Sequence, residues 1–291
     1  MTAPGPQVVA IGGGHGLAAS LRAVRTYTDR VTAVVTVADD GGSTGRLRAA
    51  GDRPAPGDLR KCLVALASPE ASLARAMEHR FDAGELDGHA LGNLLIVAMT
   101  ETEGGLLSAL DEIGRLLGGV GRVLPATTEG VELRAVARSG DRVAGQVAVS
   151  ARADLCTVEV SPADAPACPE AVAAIAGADQ IVLGPGSLYT SVLAAAAVPG
   201  IARAVRDAEG QVVYVCNLRP QQVETAGYDV GEHVAALGRH GIVPDVVLYD
   251  PSSIGGAEHV ASAVPTRLAR PSGLAHDPEL LGAALAELVP R

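Results

Sequence analysis

Gln7 to Ile11 (QVVAI) runs directly into Gly12-Gly13-Gly14, and Leu17 to Tyr27 then carries the apolar spacing of a helix. This succession of strand, glycine turn and helix constrains the fold more than any other stretch. A helix that starts at the carboxyl end of a buried strand turns its unpaired amides outward, and glycine lets an anion approach them closely. The unit needs a second strand to pair with, and Val31 to Val37 (VTAVVTV) supplies one rich in β-branched residues. A glycine-rich segment, Ala38 to Arg48, and a Pro/Gly stretch to Gly57 follow it. Asp58 stands where it can cap a helix reaching about Ala67.

Further helices are predicted over Ser72–Arg80, Leu91–Thr100 and Leu106–Leu117. The middle of the chain differs. Val131–Ala137, Val143–Val149 and Leu155–Val160 read as closely spaced strands, with Ser139-Gly140-Asp141 as a turn. They predict an antiparallel β segment inserted over about residues 120–161. The α/β alternation then resumes with helix Pro169–Ala176, strand Gln180–Leu183, helix Ser187–Ala197, strand Gln211–Cys216, helix Gly231–His240, strand Asp245–Tyr249 and helix Pro278–Leu288. The expected fold is α/β: one doubly wound, mostly parallel sheet with the β insertion, in a single domain over 1–291.

Charge and composition remove several function classes. Twenty-three basic against 33 acidic residues give a net charge of −10, and no basic run is present, which argues against nucleic acid. A phosphorylated small ligand stays compatible, since backbone amides and one or two cations can hold it locally. The longest apolar runs, Leu94–Met99 and Val192–Val198, fall far short of the ~20 residues that span a bilayer. No signal peptide pattern opens the chain, and the four cysteines form no CxxC pair, so a reducing cytoplasm is expected and a zinc site is not. Lys61 is the only lysine, which reads as coding bias toward arginine.

The glycine loops carry the candidate chemistry. Gly12 and Gly14 fit the first two positions of a dinucleotide fingerprint, but Leu17 stands at the third, so the loop predicts an anionic ligand without specifying a dinucleotide. His15 is either a solvated loop residue or a ligand contact. Gly184-Pro185-Gly186-Ser187 repeats the strand–turn–helix arrangement with Ser187 as N-cap. Two such loops at carboxyl ends of one sheet point to a diphosphate. Asp39 and Asp40 accept ribose hydroxyls, hold Mg²⁺ beside a diphosphate, or form an acidic turn before Gly41-Gly42. Ser43 in the GGSTG segment adds a hydroxyl, and Arg46 and Arg48 lie within reach of phosphate. Asp58 is a helix cap or a site residue. His89 and Asn93 flank a helix start as cap and site amide, and Asn217 ends a strand as a ligand-facing amide.

The segments GGGHGL, TVADDGGSTGRLR, PGDLRKCL, GHALGNLL, LGPGSLYTSV and ETAGY, in this order, resemble the YvcK-like gluconeogenesis factors of the 2-phospho-L-lactate transferase (CofD-like) superfamily. The resemblance spans Val8 to Tyr249 and implies a Rossmann-like fold, a cytoplasmic location and binding of UDP-sugars, notably UDP-N-acetylglucosamine. It also implies a link to cell shape, envelope precursor supply and gluconeogenic growth. By motif it assigns Gly12, Gly13, Gly14, Asp39, Asp40, Asn93, Gly184, Gly186, Ser187 and Asn217 to a ligand cleft, with Mg²⁺ on the two aspartates. Departures are His15, where many relatives have Thr; the loop Arg219-Pro220-Gln221-Gln222-Val223, which lacks the Pro-Gly usually found before Glu224-Thr225; and the C-terminal tail.

The leading expectation is therefore a regulatory UDP-sugar-binding protein that turns nothing over, whose ligand-bound state is read by an enzyme of sugar-nucleotide synthesis. Assembly with a second copy of the chain stays open. The rival is a Mg²⁺-dependent transferase of the phospholactate type acting on a nucleotide-diphosphate-linked donor. A nicotinamide-dependent oxidoreductase is a third class, opposed by Leu17 and by the lack of a hydride-transfer dyad.

Overall fold

In the computed structural model, which describes residues 5–49 and 53–289, the strand that opens the chain, β1 (Val8–Gly12), is buried along its whole length. A parallel strand covered by helices on both faces has no wet side, which is why such strands read as continuous apolar runs. The chain continues through α1 (Gly14–Val24), β2 (Val31–Val35), α2 (Gly42–Ala49), α3 (Pro56–Leu66), α4 (Ser72–Glu78), α5 (Leu91–Thr102), α6 (Leu106–Leu116) and β3 (Arg122–Pro125). A small excursion follows: β4 (Glu132–Ala137), β5 (Arg142–Ala144), α7 (Gln146–Ser150) and β6 (Leu155–Ser161). The second half comprises α8 (Pro169–Ala176), β7 (Gln180–Leu183), a π-helical turn (Leu188–Val192) continuing into α9 (Leu193–Ala196), α10 (Pro199–Asp207), β8 (Gln211–Val215), α11 (Val230–Arg239), β9 (Val246–Tyr249), β10 (Ala263–Pro265) and α12 (Pro278–Leu288).

The seven-stranded sheet has the order β10-β9-β8-β7-β1-β2-β3, and its pairings are all parallel. The order reverses between β1 and β7, with Ile11 opposite Leu183 at their carboxyl ends. A doubly wound sheet opens a crevice at this switch point, because the connections leaving the two strands turn to opposite faces. The two glycine loops sit there side by side. β5, β4 and β6 form a separate antiparallel sheet. The α/β fold expected from the sequence is thus the observed one. Among the described residues no single helix is long and apolar enough to cross a membrane.

Several local expectations need correction. Val143–Val149 is not one strand. Gly145, at φ 94°, ends β5 after Ala144, and the Asp40 carboxylate accepts the N–H groups of Gln146 and Val147, so α7 starts there instead. Arg122–Pro125, read as part of the insertion, pairs in parallel with β2 as the edge of the main sheet. The glycine-rich run after Asp40 folds as α2, a polar helix held by the hydrogen bonds of Ser43. The short β10 and the strongly amphipathic α10 carried no sequence expectation.

Candidate functional site

α1 is capped by no side chain. Its N-cap is Gly13, in extended conformation, and Gly14 takes φ 64°, a left-handed backbone that glycine adopts without strain. The helix packs between α3 and α12, and the open N–H groups of its first turn face a cavity of about 280 Å³. Gly13, Gly14, His15 and Gly16 form one wall; Asp39, Asp58, Lys61, Gln146, Gly186, Ser187, Ser191 and Gln221 form the rest. The two glycine loops touch: a Cβ on Gly16 would collide with the Pro185 carbonyl and lie 2.6 Å from Gly186 Cα.

The second loop is fastened from behind. Asn217 accepts the Gly186 N–H at 2.9 Å and donates to the Gly186 carbonyl at 2.8 Å. The buried Glu224 carboxylate accepts the Tyr189 and Thr190 N–H groups and the Thr190 hydroxyl. Amides at 186, 189 and 190 are therefore already satisfied by the protein, whereas the α1 end has no side-chain cap.

A larger depression of about 610 Å³ lies next to it, lined by Asn217 to Gln222, Leu274 and His276. Gln221 borders both spaces, and its side-chain oxygen is buried without a hydrogen-bond partner. Volumes of this size suit small-molecule ligands, and an unpaired buried acceptor favours a ligand that donates to it.

The expected site residues separate into three groups. Gly13, Gly14, His15, Asp39, Gly186 and Ser187 meet at the smaller cavity, and Asn217 borders the larger one. Gly12 at φ 155° and Gly184 at φ 74° shape the turns behind them. Asp40, Ser43 and Asn93 are elsewhere in the same neighbourhood, each engaged with protein. Asp40 holds the start of α7. Ser43 bonds His89 Nδ1 at 3.0 Å and accepts from Asn93 at 3.1 Å; Asn93, 2% exposed, accepts from Arg60 Nε. Arg60 in turn pairs with Glu78. Arg46 donates to the Asp87 carbonyl, and the Arg48 side chain lies outside the described residues.

Burial pushes the Asp39 carboxyl above its usual range, against the pull of the Gly41 N–H, the Thr44 hydroxyl and Lys61. Burial, then Lys61, lowers the His15 imidazole, which favours its neutral form. The donors do not fit the expected Mg²⁺ pair. Asp39 faces the cavity, whereas both Asp40 oxygens accept backbone N–H groups at 3.0 Å. The second carboxylate at the cavity is Asp58, and the Lys61 ammonium occupies it at 2.9 Å. Among the described residues no group of three or more His, Cys, Asp and Glu side chains is arranged to hold a metal ion.

Sequence reasoning missed Lys61 and Gln146 at this cavity and gave Asp58 only an alternative. The i, i+3 spacing of Asp58 and Lys61 was a usable signal, since it puts both on one face of α3. Val223, in the loop that lacks the expected Pro-Gly, takes φ 71°, which costs a β-branched residue roughly 1–2 kcal/mol. Val223→Gly removes that strain and is expected to raise stability by about 0.5–1 kcal/mol after the added freedom of the unfolded chain. A thermal midpoint about 2 °C higher supports this; a lower midpoint rules the strain out.

A seven-stranded parallel sheet with a helix terminus left uncapped at its switch point defines a protein of the doubly wound α/β class. Residues 8–264 match the family model described as 2-phospho-L-lactate transferase CofD, and the chain belongs to that family. It is 42% identical over 247 residues to a gluconeogenesis factor of Halalkalibacterium halodurans, covering 83% of this chain and 77% of that protein. Relatives from Deinococcus radiodurans (45% identical over 255 residues) and Nostoc sp. (44% over 235) are covered to 54% and 52% of their own length, against 86% and 80% of this chain. The chain thus spans about half the length of those two. A crystal structure of a UPF0052 family member from Bacillus halodurans superposes with TM-score 0.88 at 35% identity, covering 96% of this chain and 97% of that one.

Proposed function

We propose that the protein binds a UDP-sugar, UDP-N-acetylglucosamine in the first instance, and acts as a regulatory binding protein. The observation that carries this reading is the uncapped α1 terminus opening into a polar cavity beside a second, larger one. The diphosphate lies against the first-turn amides of α1, and the nucleoside and sugar extend past Gln221 toward His276. The ligand favours one arrangement of the 217–222 loop, and an enzyme of sugar-nucleotide synthesis in the cytoplasm reads that state, coupling precursor supply to cell shape and gluconeogenic growth. Kinship with a gluconeogenesis factor supports the metabolic setting.

The test is calorimetric titration with UDP-N-acetylglucosamine, followed by recovery of the ligand. Micromolar binding with intact ligand is expected. Ser187→Asp puts a carboxylate at the cavity wall; Ser187 is half-buried, and aspartate is a good N-cap, so the fold is retained. The variant is expected to bind at least about tenfold more weakly through charge repulsion. Equal affinity moves the diphosphate elsewhere. The family's transferase name motivates the second reading: product formed from a diphosphate-linked donor would assign phospholactate-type transfer in place of sensing.

A further inference from the structure

The single lysine of the 291-residue chain stands at the one place where a diphosphate needs a cation. Asp58 and Lys61 are one turn apart on α3 and ion-paired at 2.9 Å. That face of α3 is pressed against the glycine loop: a Cβ on Gly13 would lie 2.5 Å from Asp58 Oδ2. Asp39 reaches the same cavity from the end of β2. Two carboxylates thus face an incoming diphosphate, itself doubly negative or more. Helix-end amides contribute only about half a positive charge against them.

A divalent ion bridging carboxylate and phosphate oxygens would solve this, but the Asp58 carboxylate already holds the Lys61 ammonium through Oδ1. An ammonium has three donors. One is used on Asp58, its sole acceptor among the described residues, so two are left for phosphate oxygens. The side chain is 23% exposed, enough to keep contact with the cavity while Asp58 fixes its position.

From this arrangement, and resting on the reading of the cavity as a diphosphate site, we infer that Lys61 is the resident cation of that site, standing in for a divalent metal and making diphosphate binding by this chain independent of Mg²⁺. Lys61 bonds the phosphate oxygens directly, a charge-assisted contact stronger than a neutral hydrogen bond. The α1 amides hold the other side of the group.

The experiment titrates the full chain with two probes, UDP-N-acetylglucosamine and inorganic pyrophosphate, each in excess EDTA and in excess Mg²⁺. Wild-type affinity is expected to be the same in both conditions within about threefold. Lys61→Gln is expected to bind about tenfold or more weakly in EDTA and to recover in Mg²⁺, because the vacated Asp58 carboxylate then accepts the metal. Lys61→Arg, which keeps the charge, is expected to restore most of the metal-independent affinity. Thermal midpoints establish that both variants are folded.

A wild-type protein that binds either probe only with Mg²⁺ overturns the inference, and this arm needs no variant. Undiminished binding by Lys61→Gln in EDTA overturns it as well. Lys61-dependent binding of pyrophosphate without binding of UDP-N-acetylglucosamine upholds the cation and discards the UDP-sugar. Binding of neither probe in either condition discards both.

Discussion

Glu224→Ala is expected to lower the stability of the fold by about 3–5 kcal/mol. The side chain is 3% exposed, and its carboxylate accepts the Tyr189 N–H at 2.6 Å, the Thr190 N–H at 3.1 Å and the Thr190 hydroxyl at 2.8 Å. Alanine leaves both amides and the hydroxyl buried without an acceptor, at about 1–3 kcal/mol for each group left unsatisfied, and adds a void. Glu224→Gln keeps one acceptor oxygen for the amides, and the Thr190 hydroxyl can turn to accept from the new amide, so about 1–2 kcal/mol is expected. Urea unfolding followed by circular dichroism measures both. A loss below about 1 kcal/mol for alanine would mean that water or another acceptor reaches these amides. The loop from Gly184 to Ser187 is fastened at one side by Glu224 and at the other by Asn217, so the alanine variant also loosens the wall of the candidate site.

The fold was largely legible because its signals are local. β1, β2, β7 and β8 announce themselves as short apolar runs, and the glycine turns mark where helices leave them. What escaped depends on distant partners. Val143–Val149 has strand-like composition, and only the arrival of Asp40, more than a hundred residues earlier in the chain, turns its second half into α7. The same contact holds Asp40 apart from the cavity that Asp39 faces. Adjacent residues in extended chain point to opposite sides, so Asp39 and Asp40 cannot both face one ligand unless the backbone turns between them. Ser43 and Asn93 are polar and near the cavity, yet they bond each other inside a buried network with His89 and Arg60. Lys61 was counted but not placed: its meaning comes from Asp58 one turn away and from Gly13 across the helix interface.

Acidification is expected to unfold the protein through two histidines. His233 is fully buried, bonded to the Tyr214 hydroxyl at 2.8 Å, with its Nε2 unpartnered. Burial lowers its pKa from 6.5 to about 4, against the pull of Asp229. His276 is lowered to about 4 as well: burial outweighs the Cys216 carbonyl and Asp250, which favour the charged ring. Between pH 6.5 and 4 the unfolded chain takes up protons on both rings and the folded chain does not. Their contribution to stability is thus complete above the unfolded pKa and is lost as pH falls, by up to about 1.4 kcal/mol per unit for each ring. About 4 kcal/mol should disappear between pH 7 and pH 5. Asp250, held down to about 2 chiefly by Ser252 and the Leu268 and Ala269 amides against its own desolvation, titrates below this window. Glu224 and Asp39 are raised by burial and act in the opposite sense as they protonate, so a variant must isolate the histidines. His233→Asn keeps a polar atom facing Tyr214 and removes one titrating ring. Subtracting its stability from wild type at each pH is expected to leave a slope of about one proton between pH 6 and 5. Parallel curves for the two proteins would show that His233 is charged in the fold, and that the packing of α11 around it admits water.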